Sequence, residues 1–201
     1  MCGVEFMKTL ELLEEGHRVI GRALDLLETA VFKILRGESV DPKAITLLLR
    51  FFREYAFCHE EKVEKALFPL LESKNPPLRG LIAELESVHA LSRRALRTLQ
   101  EIFEEEFKGV NHERGGLADA LSYVRSRRLH MFKEGELFRI AREVLSEDDD
   151  RRLLEEFKEI ESNILGPKVQ EHPKQLTELL DEVEMLLSKA GGLEKRIYAK
   201  P

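Results

Sequence analysis

With 201 residues the chain has the length of one domain, or of one domain with an appendage, and can bury a sizeable core. Charged residues make up 35% of it, yet the net charge is only −6, so it carries no nucleic-acid footprint. No apolar run is long enough for a signal peptide or a membrane span, and Cys2 and Cys58 lie too far apart for a disulfide framework or a zinc site. A cytoplasmic protein without nucleic-acid or membrane partners is therefore expected, and its protein partner is unknown.

The first element is a long amphipathic helix over residues 5–36, with Leu10, Leu13, Ile20, Leu24, Leu27, Val31 and Leu35 at three-four spacing. His17 takes a place in that stripe where an apolar side chain belongs. Gly21, one turn on, would leave room beside it. Gly37 stops the helix, and Asp41-Pro42 caps and starts the next. Helix two is expected from about 42 to 72, with His59 inside the stripe Leu48, Phe52, Ala56, Val63 and Leu70, and Asn75-Pro76-Pro77 breaks it.

Helix three is expected over 77–108, with Leu78, Leu81, Leu85, Leu96, Leu99 and Phe103 on one face and His89 among them. The glycine-rich stretch 108–116 is a loop that contains His112. Helix four, about 116–145, has an unusual inward line: Ala120, Tyr123, Arg127, His130, Glu134, Leu137 and Ala141. Arg127 is expected to pair with Glu14 or Glu86, or else to pack its stem and send its head to water. Ser146-Glu-Asp-Asp149 has the form of a capping box opening a fifth helix over 147–165. A last amphipathic helix follows His172-Pro173 and runs to about 190. Short links between long helices imply antiparallel neighbours, hence an all-α, up-down-up-down four-helix bundle over 1–145. Residues 146–201 form a C-terminal helical extension packed on it. The opening Met-Cys-Gly is shared with amidotransferases that use an N-terminal cysteine, but those need strands and nothing here reads as strand.

Four of the six histidines fall one per helix, each on the face meant for burial. A buried imidazole without a polar partner costs stability, and a shared metal would satisfy all four together. Imidazole with carboxylate suits iron among the transition metals. His130 and Glu134 stand four apart, so both point inward about 6 Å from each other. Two stretches also echo one another: His59-Glu60 followed by Leu67-Phe68-Pro69, and His130 with Glu134 followed by Leu137-Phe138.

This pattern, over roughly residues 10–140, resembles the hemerythrin-like (HHE cation-binding) family. The resemblance implies a non-haem di-iron centre between four helices that binds a diatomic ligand, O2 or NO, for sensing, storage or stress response. In that family each helix gives a histidine, and helices two and four each add a carboxylate four residues later. His17, His59, His89, His130 and Glu134 carry over as ligands. Position 63 departs, being Val where the bridging Glu is expected, so the metal count is two ions or one. Counted at about 100° per residue from His59, Glu60 lies nearest the inward face and is the expected substitute, with Glu64 second. Glu14-x-x-His17 and Glu86-x-x-His89 also match the spacing of ferritin-like di-iron proteins. The alternatives are thus a ferritin-like oxidase or peroxide-reducing enzyme, or a metal-free helical interaction protein.

Overall fold

The computed structural model describes residues 7–108, 115–166 and 172–189, all in helices or the short links between them, with no strand. The loop over 109–114 with His112, the Cys2 segment and residues after 189 lie outside the described residues. Helix α1 is Lys8–Leu35, and its end is set by Gly37, whose φ of +75° is open to glycine and strained for other residues. Helix α2 occupies 42–74. It begins on Pro42 and is capped by the Asp41 carboxylate, which accepts from the Lys43 N–H at 2.9 Å. A 3₁₀ turn, Pro76–Leu78, leads into α3, Arg79–Phe107, and α4 is Gly115–Val144. The extension supplies α5, Glu147–Leu165, and α6, His172–Lys189, so His172, expected just before the last helix, is its first residue.

The first four helices form the expected bundle, with α4 closing back on α1. Their antiparallel sense shows in the ion pairs, since Arg128 reaches Asp25 and Glu28 while Arg142 reaches Glu14. Helix α2 differs from a plain α-helix. Two wide π turns, Phe52–Ala56 and Val63–Leu67, flank the α-helical piece Phe57–Lys62 that carries His59. Each wide turn adds a residue and re-phases the next stretch of helix, so that Ala66, Leu67 and Phe68 are buried in succession. Cys58, His59, Glu60 and Glu61 are also buried consecutively, which an isolated amphipathic helix cannot do. Here α5 lies across the outer side of α2, where Lys62 pairs with Glu161.

Burial sorts the interior into two apolar cores. One is built on Ile20, Leu24, Leu48, Phe52, Leu99 and Val124, and α6 seals it with Leu176, Leu180 and Val183. The other is built on Leu10, Leu13, Val63, Leu67, Leu85 and Leu137, and α5 adds Leu153 and Phe157. Between them all four bundle helices turn polar at the same level, around His17, His59, His89 and His130. Fully burying a side chain such as Leu stabilises a fold by about 1.5–3 kcal/mol, so the two dry layers hold the polar one in place.

Candidate metal centre

Glu134 of α4 stands at the middle of the polar layer, 1% exposed. Its Oε2 lies 2.7 Å from His17 Nε2, 3.5 Å from His130 Nε2 and 3.8 Å from His59 Nε2. Its Oε1 lies 3.8 Å from His89 Nε2. Two donor groups result, His17 with His59 and Glu134, and His89 with His130 and Glu134, each with its donor atoms within 4.8 Å of one another. The carboxylate is common to both.

The helices aim these side chains by close contact. An added Cβ at Gly16 would come within 2.6 Å of His59 Nδ1, so only glycine lets α1 approach that ring. Gly21, where room beside the centre is expected from sequence, faces open space, and a Cβ there would meet nothing within 4 Å. The Leu-Phe echo also finds its use. Phe138 stacks on His17 at 5.2 Å between ring centroids, and Phe68 lies parallel to His89 at 6.3 Å.

Glu64 sits on the outer side of His89, its Oε1 2.7 Å from Nδ1. Donation of Nδ1–H to that carboxylate leaves the lone pair of Nε2 facing Glu134, a carboxylate–histidine arrangement that orients a metal ligand. Glu64 is thus placed behind a histidine. Glu60 is buried as well, but it enters neither donor group. Arg127 Nη1 lies 2.7 Å from its Oε1 and Arg93 Nη1 lies 3.1 Å from its Oε2. Arg127 pairs with neither Glu14 nor Glu86. It is 2% exposed, so its head does not reach out to water either. Glu14 pairs outward with Arg142 at 2.7 Å and Glu86 is exposed, which removes the ferritin-like ligand set.

Burial sets the charge of the layer. It pushes the His59 imidazole down to about 4 and lowers His130 too, so both are neutral near pH 7 and able to act as ligands. For Glu134 burial acts upward, but the imidazoles of His130, His17 and His59 gathered around it outweigh burial and hold the carboxyl well below its usual range. Burial raises the Glu60 carboxyl against the pull of Arg127 and its neighbours. The free Cys58 thiol is pushed up to about 11 by burial, which leaves it a packing group.

Among the described residues, five buried atoms of these histidines and Glu134 have no hydrogen-bond partner: His59 Nε2, His89 Nε2, both ring nitrogens of His130, and Glu134 Oε1. Buried polar atoms left in this way are costly, and here four of the five lie around one carboxylate or belong to it. A cation bound by nitrogen and oxygen donors fits them. The family model of the hemerythrin HHE cation binding domain matches residues 8–141. Comparison with curated proteins and with solved structures gives no match.

Proposed function

The chain belongs to the hemerythrin HHE cation-binding family, and from that premise we propose that His17, His59, His89, His130 and Glu134 hold non-haem iron that engages a diatomic ligand, O2 or NO. The observation that carries the reading is the set of partnerless donor atoms gathered about Glu134 in a layer closed on both sides by apolar cores. Held by these residues, ferrous iron would offer such a ligand an open coordination position and reducing electrons. The chain's own part is to place four imidazoles, share one carboxylate between the two halves, and keep water away with Ile20, Leu24, Phe52 and Val63, all buried. A sensing, storage or stress-response role fits that chemistry.

Two cations held around one shared carboxylate would repel each other, and that carboxylate alone would offset little of the repulsion. The second carboxylate of the layer, Glu60, is engaged by two arginines. Two metals would therefore be held unequally, and the weaker position would need Glu60, now paired with Arg127 and Arg93, as its further carboxylate. Titrating the anaerobic, ferrous-loaded protein with NO tests the ligand reading. A saturable ferrous-nitrosyl spectrum, absent from the metal-free protein, is expected. A loaded protein that keeps its metal and shows no spectral change with either NO or O2 would reduce the function to cation binding alone.

A further inference from the structure

We propose that the cleft between α3 and α4 is a binding site for a small organic monocarboxylate, with the buried guanidinium of Arg127 as its receptor. The cleft exists because short side chains face one another there. Ser92 and Ala95 on α3 meet Ser122 and Ser126 on α4, and the helices leave a cavity of about 380 Å³ between them. That is near the small end of the range for ligand sites, about 300–1,000 Å³.

Short side chains alone make only a gap; Arg127 makes this one a receptor. Its side chain lines the cavity although the residue is 2% exposed. Its contact with Glu60, at 2.7 Å, is a charge contact without hydrogen-bond geometry, and Nε has no hydrogen-bond partner among the described residues. A guanidinium offers five N–H donors in a planar fork, and one carboxylate cannot satisfy them all. A second planar carboxylate entering from the cavity side matches that fork, and a desolvated charge-assisted pair of this kind is among the stronger hydrogen-bonded contacts.

The remaining walls narrow the class. Leu91, Ala95 and Leu99 give an apolar side that suits a short hydrocarbon or aromatic body better than a bare inorganic anion. Arg94 lies in the same lining and favours a negative ligand. Asp119, also in the lining, lies eight residues before Arg127 on α4, about 12 Å along the axis, and disfavours a second negative group at the far end. One carboxylate on a compact apolar body meets all three conditions. The site lies outside both donor groups of the metal centre and touches it only through the Arg127–Glu60 pair, so it does not require bound iron.

Calorimetric titration of the full chain with benzoate, benzamide and inorganic phosphate tests the proposal. Benzoate should bind saturably at millimolar concentration or below, and benzamide, with the same body and no charge, at least about tenfold more weakly. Ser126→Leu, which fills the cleft from an exposed position, should weaken benzoate by a similar factor with an unchanged melting temperature. His130→Ala, which disables the metal centre, should leave benzoate binding in place and so separates this cleft from a carboxylate on the metal. Equal binding of benzamide, tighter binding of phosphate, indifference to Ser126→Leu, loss with His130→Ala, or no heat at millimolar benzoate would each overturn it.

Discussion

Three of the four histidines of the polar layer, His17, His59 and His89, are held by neighbours that a count of ligands leaves out. Gly16 is the sharpest case. Glycine inside a helix costs roughly 0.5–1 kcal/mol against alanine, and here the cost is offset by room for the His59 ring. Gly16→Ala should displace that ring and lower iron affinity by about 10–100-fold, the range seen when groups that orient metal ligands are altered. Gly21→Ala should leave affinity unchanged and raise the thermal midpoint, because its Cβ meets nothing. Equal effects of the two substitutions in a competitive chelator titration would contradict the contact-based assignment. Glu64→Gln belongs to the same class, since it removes the charge behind His89 and should weaken metal binding by a similar factor with the fold intact. The histidines and Glu134 were legible in the sequence because each breaks an apolar stripe at helical spacing. Gly16, Glu64 and the Arg127–Glu60 pair were not, because they depend on which helix faces which and how closely.

Helix α2 shows where periodicity reaches its limit. Its ends and its histidine follow from the sequence, but its two π turns do not, since they appear only where the helix must bury more than one face. Angles counted at a fixed 100° per residue fail across such turns, and Glu64 illustrates it by landing on His89. Val63, at the start of the second turn, is wholly buried in the apolar core beside the centre. Val63→Glu should therefore destabilise the metal-free protein by a few kcal/mol, because it buries a carboxyl without a partner. It should also raise the iron-to-protein ratio toward two by restoring a carboxylate four residues after His59, and loading should recover much of the lost stability. Lower stability in both forms with no gain in iron would show that position 63 does not face the centre. Helix α1 makes a similar point at its start, where Met7 offers no capping side chain. The Asp150 carboxylate of α5 serves instead, accepting from Thr9 N–H at 3.0 Å, from Lys8 N–H at 3.2 Å and from the Thr9 hydroxyl. Asp150→Ala should cost about 1–2 kcal/mol in urea denaturation, as the loss of an N-cap does.

In the whole molecule the extension is bound into the bundle: α5 and α6 each complete one of the two cores, and the acidic start of α5 ties helix ends together. Asp149 accepts from Ser146 N–H at 2.8 Å and Ser146 Oγ at 2.6 Å, and it meets Lys74, at the end of α2, at 2.6 Å. Burial acts upward on its carboxyl, but Lys74 and Ser146 outweigh it and hold it below the ordinary aspartate range. A carboxyl lowered in the folded state stabilises above its unfolded value and loses that contribution as pH falls. The urea midpoint should therefore hold steady down to about pH 4 and drop below it, and Asp149→Asn should reduce the steepness of the drop. An unchanged acid limb in that variant would show that Asp149 does not drive it. No helix among the described residues is long and apolar enough to cross a membrane; their buried apolar side chains form the two cores that enclose the polar layer. In the function proposed above, that layer captures a cation with four helices at once. Metal analysis after anaerobic ferrous loading and desalting tests it most directly. The wild-type chain should retain at least about one iron per chain, and His130→Ala should retain far less while keeping its helical signal. A wild-type chain that emerges without iron, or a His130→Ala chain that holds as much as wild type, would contradict it.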